Sequence, residues 1–560
     1  MTVTAPGAAL AQTTTLLLRP APDAPTAPHL VPGTAFELGP ETLAFNRAAT
    51  LAIRYDPARL PSGAVENGLQ LHQLFASGWV VIRGSRVNTA NKTVSGTVVR
   101  GATYAVLTTP VSRVTLRGGL VGGALYVGQS GQLGAVMLDS YGDTLTGRPA
   151  AWTSSNPQSV TVDSAGRLSV VAPGEATITA TSDGKSATTT LLALARPTAD
   201  WSRAAEWTTF QGGVRHAGHV AATLDPVTFQ ERWVAPAASG IRLHQPVVGD
   251  GRAYVTTTAY FGAQRFAALD LQSGAVVWSR DFGAIHSVNP PTFDNGTVFV
   301  MTGGHQDSFL WGLAARDGAV RFRTAYGNQW SQYGAPLVLG DGVFSAGGYY
   351  GGMYRFDARS GAIAYERPAV WADGWSPAAS GGQVLVPTGS GLAALDAASG
   401  ATAYTVGDNR LTAATPVVGG LGNALVATST NLISVDLQRR AIAWAQSGSF
   451  GGAAAVANGV VYVVNNRQVE ARREGDGTLL WVWVPPAGAA AGPVVVTDNL
   501  LFVSVAAGDS FAPTGATYAL DLSARRQVWS YPAGGQLALS AQGVLLIAQQ
   551  SGSVAAISVR

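Results

Sequence analysis

The sequence predicts an all-β chain whose C-terminal part is an eight-bladed β-propeller, and three observations carry this prediction. Residues 224–560 repeat one pattern eight times, and an aromatic residue recurs in it at intervals of 37 to 48 residues. Each repeat consists of short β-type runs separated by turn residues, without long helix-type periodicity. The 560 residues include 68 Gly and 29 Pro, a composition typical of a chain rich in turns. A period near forty residues built from short strands is the signature of a four-stranded propeller blade.

Three positions recur within the repeat, and each has a physical role. An Asp followed four residues later by Gly predicts the turn between the last two strands of a blade, because Asp binds turn amides and Gly accepts a positive φ. The aromatic residue that follows is predicted to pack against the neighbouring blade. A Pro is predicted to open the innermost strand. The recurring aromatic residues are Trp233, Trp278, Phe322, Tyr365, Tyr404, Trp444, Trp481 and Trp529. The glycine position is occupied instead by Phe229, Arg440 and Arg525 in three repeats.

The two ends of the repeat region predict how the ring closes. Residues 536–560 contain enough sequence for three strands but lack the Asp-to-aromatic strand. Residues 224–233 contain only that strand. We therefore expect one blade to be shared between the two ends, which pairs strands that are remote in sequence and leaves no open edge.

Composition excludes several functional classes. The chain has no Cys, which rules out disulfides, thiolate metal sites and a Cys nucleophile. The net charge is +3, but the arginines are scattered and form no basic run, so nucleic-acid binding is not predicted. No segment has the continuous apolar length of a transmembrane helix. Residues 1–7 lack the basic and apolar regions of a signal peptide, and we expect a leader to have been cut off or left out.

Residues 1–110 alternate in the manner of half-buried strands, with Leu51, Ile53 and Tyr55 on one side and Ala52 and Arg54 on the other. The order of the landmarks 38–45, 53–57, Trp79, 93–98 and 103–106 resembles the ZU-five type domain of ankyrins and netrin receptors. An unrelated β-sandwich is the alternative. Neither interpretation implies a reaction.

Residues 111–194 resemble a bacterial immunoglobulin-like domain of group 2. The resemblance rests on 152–157, 160–168 and 172–181, where Ala176, Ile178 and Ala180 alternate with threonines as in a sandwich strand. Asp163 to Gly166 predicts a hairpin turn. The family is typically a spacer or adhesion module on bacterial surfaces, so the resemblance implies an extracytoplasmic setting.

Residues 195–560 resemble the pyrroloquinoline-quinone-like (PQQ-like) propeller proteins, through the repeats and the lead-in 207–219. The His-Thr-Gly segment frequent in that family reads His216-Ala217-Gly218 here. The family contains quinoprotein dehydrogenases and cofactor-free scaffolds, including the propeller lipoprotein of outer-membrane protein assembly. His216 and His219 are interpreted as packing or hydrogen-bonding residues of the lead-in.

Long, irregular connections in blades two to four predict a candidate ligand site on one propeller face. They gather aromatic rings with amide and carboxylate groups, a combination that suits sugar rings, peptides or a planar cofactor. The alternative is that the same aromatic residues fill the central channel or seal neighbouring blades. The candidate ligand-binding residues are His305, Gln306, Asp307, Trp330, Gln332, Tyr333, Tyr349, Tyr350, Trp371, Asp373 and Trp375. No catalytic residue and no metal ligand set is predicted, because hydrolase, nucleotide-binding and zinc-protease motifs are missing and His286 and His305 lack carboxylates at ligand spacing.

The sequence thus predicts three domains and a binding function. We expect 1–110 and 111–194 to be spacer modules that carry the propeller 195–560. The predicted function is a non-enzymatic extracytoplasmic binding or scaffold protein of the bacterial cell envelope, whose partner is an envelope protein or a glycan. One alternative is a quinoprotein dehydrogenase using PQQ and Ca²⁺. Many alcohol-oxidising members of that family have an adjacent Cys pair, and this chain lacks it, which counts against the alternative. Another is an outer-membrane protein assembly scaffold.

Overall fold

The computed structural model describes residues 1–27, 29–61, 64–118, 123–140, 142–145, 148–238, 240–259, 261–328, 330, 332, 334–370, 372–411, 414–507 and 514–560. The chain divides into two compact units, Met1–Leu194 and Ala195–Arg560. In the described residues all regular structure is β-strand, apart from four single-turn 3₁₀ helices, Pro57–Arg59, Glu66–Gly68, Pro226–Thr228 and Asn409–Leu411. The predicted all-β class is confirmed.

The first nine strands of unit 1 form two sheets around one apolar core. The strands are β1 (Thr2–Thr4), β2 (Leu17–Pro20), β3 (Phe36–Gly39), β4 (Ala44–Arg54), β5 (Leu69–Phe75), β6 (Gly78–Val81), β7 (Arg86–Asn88), β8 (Thr93–Arg100) and β9 (Ala102–Thr108). Their orders are β1-β4-β8-β7 and β2-β3-β9-β5-β6. Leu51, Ile53 and Tyr55 are buried between the sheets, as their alternation predicts. The ZU-five resemblance and the limit at residue 110 remain predictions.

The rest of unit 1 is a second sandwich. Its strands are β10 (Arg113–Arg117), β11 (Ala124–Tyr126), β12 (Ser130–Gln132), β13 (Gly134–Leu138), β14 (Ala151–Ser154), β15 (Val160–Val162), β16 (Arg167–Val170), β17 (Gly174–Ser182) and β18 (Lys185–Leu194). Sheet β11-β18-β17-β14 faces β12-β16-β15 across a core that includes Ala176 and Ile178. The predicted hairpin turn is confirmed, because the Asp163 carboxylate accepts the N–H groups of Ala165 and Arg167 at 2.9 and 2.8 Å.

The described residues of unit 2 form eight sheets, and seven of these are built from strands that are consecutive in the chain. Blade 1 is β20 (Val247–Gly249), β21 (Arg252–Thr256), β22 (Gly262–Asp270) and β23 (Val276–Ile285). Blade 2 is β24 (Ser287–Val288), β25 (Thr292–Asp294), β26 (Thr297–Gly303), β27 (Phe309–Ala314) and β28 (Val320–Ala325). Blade 3 is β29 (Leu337–Leu339), β30 (Gly342–Ala346), β31 (Met353–Asp357) and β32 (Ile363–Arg367). Blade 4 is β33 (Ala378–Ser380), β34 (Gln383–Thr388), β35 (Gly391–Asp396) and β36 (Thr402–Gly407).

The remaining sheets follow the same order from the innermost strand outward. Blade 5 is β37 (Pro416–Val418), β38 (Asn423–Ala427), β39 (Asn431–Asp436) and β40 (Ala441–Ser447). Blade 6 is β41 (Phe450–Ala457), β42 (Val460–Asn465), β43 (Gln468–Arg473) and β44 (Leu479–Trp483). Blade 7 is β45 (Ala489–Val496), β46 (Leu500–Ala507), β47 (Thr514–Asp521) and β48 (Arg526–Tyr531). All strand pairs in these sheets are antiparallel, and in blade 2 both β24 and β25 pair with β26. This is the up-and-down arrangement of a propeller blade.

The eighth sheet joins the two ends of unit 2. Its strands β49 (Gly535–Leu539), β50 (Val544–Gln549) and β51 (Ser553–Ser558) are completed by β19 (Gln230–Pro236) from the start of the unit. β19 pairs antiparallel with β51, with Trp233 opposite Ala556. The predicted sharing of one blade between the ends is confirmed.

The recurring aromatic residue of one blade packs on the Asp-to-Gly turn of the next. A Cβ on Gly274 would lie 2.6 Å from the Trp233 ring, and one on Gly318 would lie 2.7 Å from Trp278. The indole N–H of Trp233 also donates to the carbonyl of Leu271 at 3.1 Å. The glycine therefore has two roles, since it adopts a φ of 73° at Gly274 and leaves the space that the ring fills.

Two of the glycine exceptions have a matching explanation. Arg440 places its guanidinium 4.9 Å from the centroid of Tyr404, so a cation–π contact takes the place of ring-on-glycine packing. Phe229 meets Trp529 edge to face, with ring centroids 5.5 Å apart. Trp529 belongs to blade 7, and Phe229 directly precedes β19 of the eighth sheet. Trp233, in β19, packs on the turn of blade 1. The contacts between neighbouring blades therefore continue across the junction of the two chain ends.

The turns and prolines follow the sequence prediction closely. The Asp270 carboxylate accepts hydrogen bonds from the Ser273 hydroxyl at 2.7 Å and from the backbone N–H groups of Ser273 and Gln272 at 2.8 and 3.2 Å. These bonds lower the pKa of the Asp270 carboxyl, and the Ser273 hydroxyl has the largest effect. Prolines precede or open the innermost strands of blades 1 to 5. Pro493 differs, because it lies inside β45 at a register shift between Ala491 and Val495, where a strand tolerates proline.

Within the described residues, no helix combines the length and apolar character needed to cross a bilayer.

Candidate functional site

The segment that precedes the ring, residues 207–222, runs around the propeller axis and is called the axial segment here. Its backbone carbonyls accept hydrogen bonds from the innermost strands of six blades, at 2.7 to 2.8 Å. The donors are the N–H groups of Val248, Phe293, Ala379, Val418, Val456 and Val496, and the acceptors are the carbonyls of Trp207, Thr208, Val214, Arg215, Ala217 and Gly218. Each donor lies near the end of its innermost strand, so the segment lies toward the face that carries the short β-turns.

Side chains of the axial segment fill the channel between these strands. The Gln211 amide donates to the carbonyls of Ala454 and Val494 at 3.4 and 3.3 Å. Thr209 donates to the carbonyl of Pro336 at 3.3 Å. Gln245, which lies outside the axial segment just before β20, donates to the carbonyl of Leu537 at 2.8 Å. These side chains satisfy inward-pointing carbonyls that an open channel would leave to water. Gln211 and Thr209 are each 1% exposed, so this end of the channel is closed.

His216 is a buried, neutral member of the same segment. Its Nδ1 lies 3.2 Å from the carbonyl of Pro416, which assigns the proton to Nδ1. Burial lowers the pKa of His216 to about 4, and the Pro416 carbonyl acts in the opposite direction. His219 bonds through Nε2 to Asp498 at 3.1 Å. The interpretation of both histidines as packing and hydrogen-bonding residues is confirmed.

A polar cavity of about 320 Å³ opens on the opposite face, called the loop face here because the second-to-third-strand loops and the connections between blades lie on it. Phe210 forms part of its lining, so the axial segment contributes to the cavity. The remaining lining residues are Leu243, His244, Thr258, Pro290, Gln332, Gly334, Asp373, Gly374, Ser376 and Gln536. Its volume falls within the range of about 300–1,000 Å³ found for small-molecule sites.

Hydrogen bonds hold the connections around this cavity together. The Asp373 carboxylate accepts the backbone N–H of Gln332 at 2.9 Å, and the N–H of Gly374 donates to the Gln332 carbonyl at 2.9 Å. The Gln332 side chain reaches His244 Nε2 at 3.2 Å. Burial lowers the pKa of His244 to about 4, against the effect of its bond to the Val288 carbonyl. The wall of the cavity is therefore built from neutral donors and acceptors with one carboxylate.

An aromatic cluster lies on the same loop connections. The Trp330 ring centroid is 5.2 Å from Phe261, 5.7 Å from His286 and 5.9 Å from His305. Phe261 is 63% exposed and Trp330 is 46% exposed, whereas His286 beneath them is buried. Both Phe261 and Trp330 have left-handed backbones, with φ of 53° and 56°. For non-glycine residues this conformation costs on the order of 1–3 kcal/mol and is concentrated at functional sites.

A second pair of exposed rings lies on the adjoining loop of blade 3. Tyr349 is 54% and Tyr350 is 83% exposed. Their loop is tied to the connection that carries Trp330, because Gly348 donates its N–H to the Gly327 carbonyl at 2.6 Å and pairs with Asn328. Among the described residues, the connections on the loop face of blades 1 to 3 thus present four exposed aromatic rings.

The structure places the sequence-predicted site residues in three groups. His305, Gln306, Asp307, Tyr349, Tyr350 and Asp373 are exposed, Trp330 is exposed in the cluster, and Gln332 is partly buried in the cavity wall. Trp375 is 0% exposed and packs in an apolar core with Leu337 and Val386, so its placement among surface groups is corrected. It lies three residues before the innermost strand of blade 4, which starts at Ala378, and it fills space beneath the loops. Tyr333 and Trp371 lie outside the described residues.

Sequence reasoning missed Phe261, His244, Gln245 and Gln536. Gln245 had a detectable signal, because it directly precedes Pro246 at a position where most repeats carry small residues. Phe261 had a weaker one, as part of the aromatic pair Tyr260-Phe261 in the connection 257–262 of blade 1. His244 and Gln536 belong to ordinary repeat positions, and only the convergence of blades at the axis distinguishes them.

The cavity is a poor match for PQQ with Ca²⁺. Calcium takes about six to eight oxygen ligands, usually with several carboxylates, whereas Asp373 is the only carboxylate in the described lining. PQQ itself carries several carboxyl groups, and the same lining offers no Arg or Lys to face them. Across the described residues, no group of three or more His, Cys, Asp or Glu is arranged to hold a metal ion. No chemical step through the quinone is derived from this donor set.

Two protein-family models match the chain. The PQQ_2 model, described as outer membrane protein assembly factor BamB, matches residues 216–336 and 267–483. The bacterial Ig-like domain (group 2) model matches residues 124–191. Unit 2 is therefore a propeller of PQQ-like repeats, and the second sandwich of unit 1 is a group 2 Ig-like domain, as predicted. No curated protein matches the chain.

Solved structures similar to the chain include proteins of different function. BamB from Moraxella catarrhalis is 16% identical with a TM-score of 0.45, over 59% of this chain and 97% of that chain. A europium-containing methanol dehydrogenase is 13% identical with a TM-score of 0.38, over 62% and 82% of the two chains. The dihydro-heme d1 dehydrogenase NirN is 16% identical with a TM-score of 0.42, over 55% and 74%. At these scores, nothing about the function of this chain follows from them.

Proposed function

We propose that this chain is a non-enzymatic, extracytoplasmic binding protein of the bacterial cell envelope, which holds its ligand or partner on the loop face of the propeller. The observation that carries the proposal is the exposed pair Phe261 and Trp330. Both rings stand in solvent on left-handed backbones, and nothing in the repeat requires either of them. Exposed aromatic rings beside fixed polar groups are a common feature of binding surfaces.

The rest of the molecule supports a binding function. The axial segment closes the channel, so the cavity is reached from the loop face alone. The described cavity lining contains neutral amides, hydroxyls and one carboxylate, without a nucleophile paired to a base. The group 2 Ig-like domain at 124–191 is a module typical of bacterial surfaces, which supports an envelope location.

The proposal is tested by immobilising the full chain and passing over it the protein and the polysaccharide fractions of a bacterial envelope. We expect one fraction to be retained by the native protein and released in the Trp330→Ala variant. Leu421→Ala is the matched control, because Leu421 is 66% exposed but lies in a short β-turn on the opposite face. Retention that both variants leave unchanged would refute the loop face as the binding surface.

A scaffold in outer-membrane protein assembly is the second candidate. The match of residues 216–483 to the family model described as outer membrane protein assembly factor BamB favours it. In that case the protein fraction would be retained, and a purified component of the outer-membrane protein assembly machinery would bind the purified chain directly. Retention of the polysaccharide fraction alone would exclude this candidate.

A further inference from the structure

A second cavity continues the polar cavity across the loop face. It measures about 650 Å³ and lies between blades 7, 8 and 1. Leu243, Thr258 and Gln536 line both cavities, so the two form one groove that passes over the closed channel. A groove of this extent holds an extended chain better than a single small molecule.

The groove is lined by side-chain amides and hydroxyls. Its amides are Gln245, Gln332, Gln536, Gln549 and Gln550 among the described residues, and its hydroxyls include Thr258, Ser376, Ser504 and Ser551. A side-chain amide donates two hydrogen bonds and accepts others, which matches neighbouring sugar hydroxyls that both donate and accept. The described lining contains one cation, Arg242, and one carboxylate, Asp373, so the groove as a whole carries no excess of either sign.

In the sequence, the two rings of the aromatic cluster are close to residues that line this groove. Phe261 follows Thr258 by three residues, and Trp330 precedes Gln332 by two. The two rings are tilted by 39° with centroids 5.2 Å apart, and both are exposed. The flat C–H face of a sugar ring stacks on such a surface while its hydroxyls reach the amides.

We propose that this groove binds a neutral oligosaccharide chain, with a sugar ring on Phe261 and Trp330 and the following rings along the amides. This inference rests on the proposed function, whose ligand class it names. A peptide is the less suitable occupant, because peptide grooves use apolar pockets for alternate side chains. In the described lining the larger apolar side chains are Phe210, Leu243, Pro290, Val505 and Pro532, and they are scattered between polar groups.

The experiment is a calorimetric titration of the full chain with a panel of neutral hexasaccharides of glucose, xylose, mannose and N-acetylglucosamine. We expect saturable binding of at least one sugar. Trp330→Ala, which removes the stacking surface, and Gln536→Ala, which removes an amide shared by both cavities, should each weaken binding about tenfold or more. Leu421→Ala and Gln438→Ala are the matched controls, because both side chains are exposed in short turns on the opposite face.

The outcomes separate this inference from the proposed function. Binding that Trp330→Ala and Gln536→Ala weaken and the controls preserve supports the inference. No binding of any hexasaccharide, or binding that the two groove variants leave unchanged, overturns it. If sugars fail while the protein fraction of the envelope is still retained and released by Trp330→Ala, the proposed function stands and its ligand is a protein. If neither fraction is retained, the proposed function fails as well.

Discussion

Gln211 and Gln245 hydrogen-bond to each other twice at the centre of the propeller. The backbone N–H of Gln211 donates to the Gln245 side-chain oxygen at 2.9 Å, and the Gln245 side-chain nitrogen donates to the Gln211 side-chain oxygen at 3.2 Å. Both residues are buried, at 1% and 3% exposure. Their remaining donors reach the carbonyls of Ala454, Val494 and Leu537, so the pair links blade 1 to blades 6, 7 and 8.

Replacing Gln211 with Ala should lower the free energy of unfolding of the propeller. The change leaves the inward carbonyls of Ala454 and Val494 without their donor, at about 1–3 kcal/mol for each buried group left unsatisfied. Denaturant unfolding of the full chain, followed by tryptophan fluorescence, measures the loss. Gln438→Ala, at an exposed turn position, should leave the propeller transition where it is. An equal effect of both changes would contradict a stabilising role of Gln211 in the channel.

The glycine of the Asp-to-Gly turn can be tested with a matched pair. Gly274 and Gly251 have nearly the same φ, 73° and 69°, so an Ala at either position meets similar backbone strain. The added Cβ meets the Trp233 ring at Gly274 and nothing within 4 Å at Gly251. We expect Gly251→Ala to cost about 1–2 kcal/mol and Gly274→Ala about 1–3 kcal/mol more. Thermal melts of the two variants that coincide would show that the ring does not need this space.

Trp330 and Trp375 should respond in opposite ways to truncation. Trp375→Ala empties a fully buried site and should destabilise the propeller by about 3–5 kcal/mol. Trp330→Ala removes a half-exposed ring and should change stability by less than about 0.5 kcal/mol. Calorimetric melts measure both. A large fall in melting temperature for Trp330→Ala would mean that this ring is a packing residue and not part of a binding surface.

Acid should weaken the propeller partly through His216. The fold holds this imidazole neutral, with a pKa of about 4, whereas in the unfolded chain it takes up a proton near pH 6.5. The contribution of neutral His216 to the free energy of unfolding is therefore complete above pH 6.5 and is lost as the pH falls toward 4. The loss is on the order of 3 kcal/mol, since one pKa unit corresponds to about 1.4 kcal/mol. His244, whose pKa is lowered in the same direction, adds to the loss.

The measurement is a series of melts between about pH 8 and pH 4 for the native protein and His216→Leu. At the alkaline end both proteins hold a neutral side chain, so their difference there reports packing alone. Below pH 6.5 the native protein should lose stability more steeply than the variant. Parallel curves would mean that folding does not lower the pKa of His216.

Added PQQ and Ca²⁺ should not bind at one-to-one stoichiometry. The expectation follows from the described lining of the polar cavity, which contains one carboxylate, Asp373, and no Arg or Lys that could pair with the carboxyl groups of the quinone. A fluorescence titration with the quinone, with and without Ca²⁺, measures it. Saturable stoichiometric binding together with turnover of an alcohol or sugar would establish the dehydrogenase alternative instead.

The repeat architecture could be predicted because each of its rules is local or joins nearest neighbours. The Asp-to-Gly turn closes within five residues, and the aromatic residue meets the same turn of the next blade, so the same residues return at a regular period. Even the shared blade follows, because one strand is missing at the end and appears alone at the start. The alternation of Leu51, Ile53 and Tyr55 was equally readable, since burial on one sheet face needs only a period of two.

The residues of the candidate site could not be predicted from a sequence repeat in this way. Trp330 and Trp375 both lie in irregular connections of the loop face, and no periodicity distinguishes them. One stands in solvent and the other in the core, because burial in a connection depends on which blade packs beneath it. The path of the axial segment was equally hidden. Its partners are backbone N–H groups, which every residue except proline carries, so no side chain encodes the path and only the converging inner strands determine it.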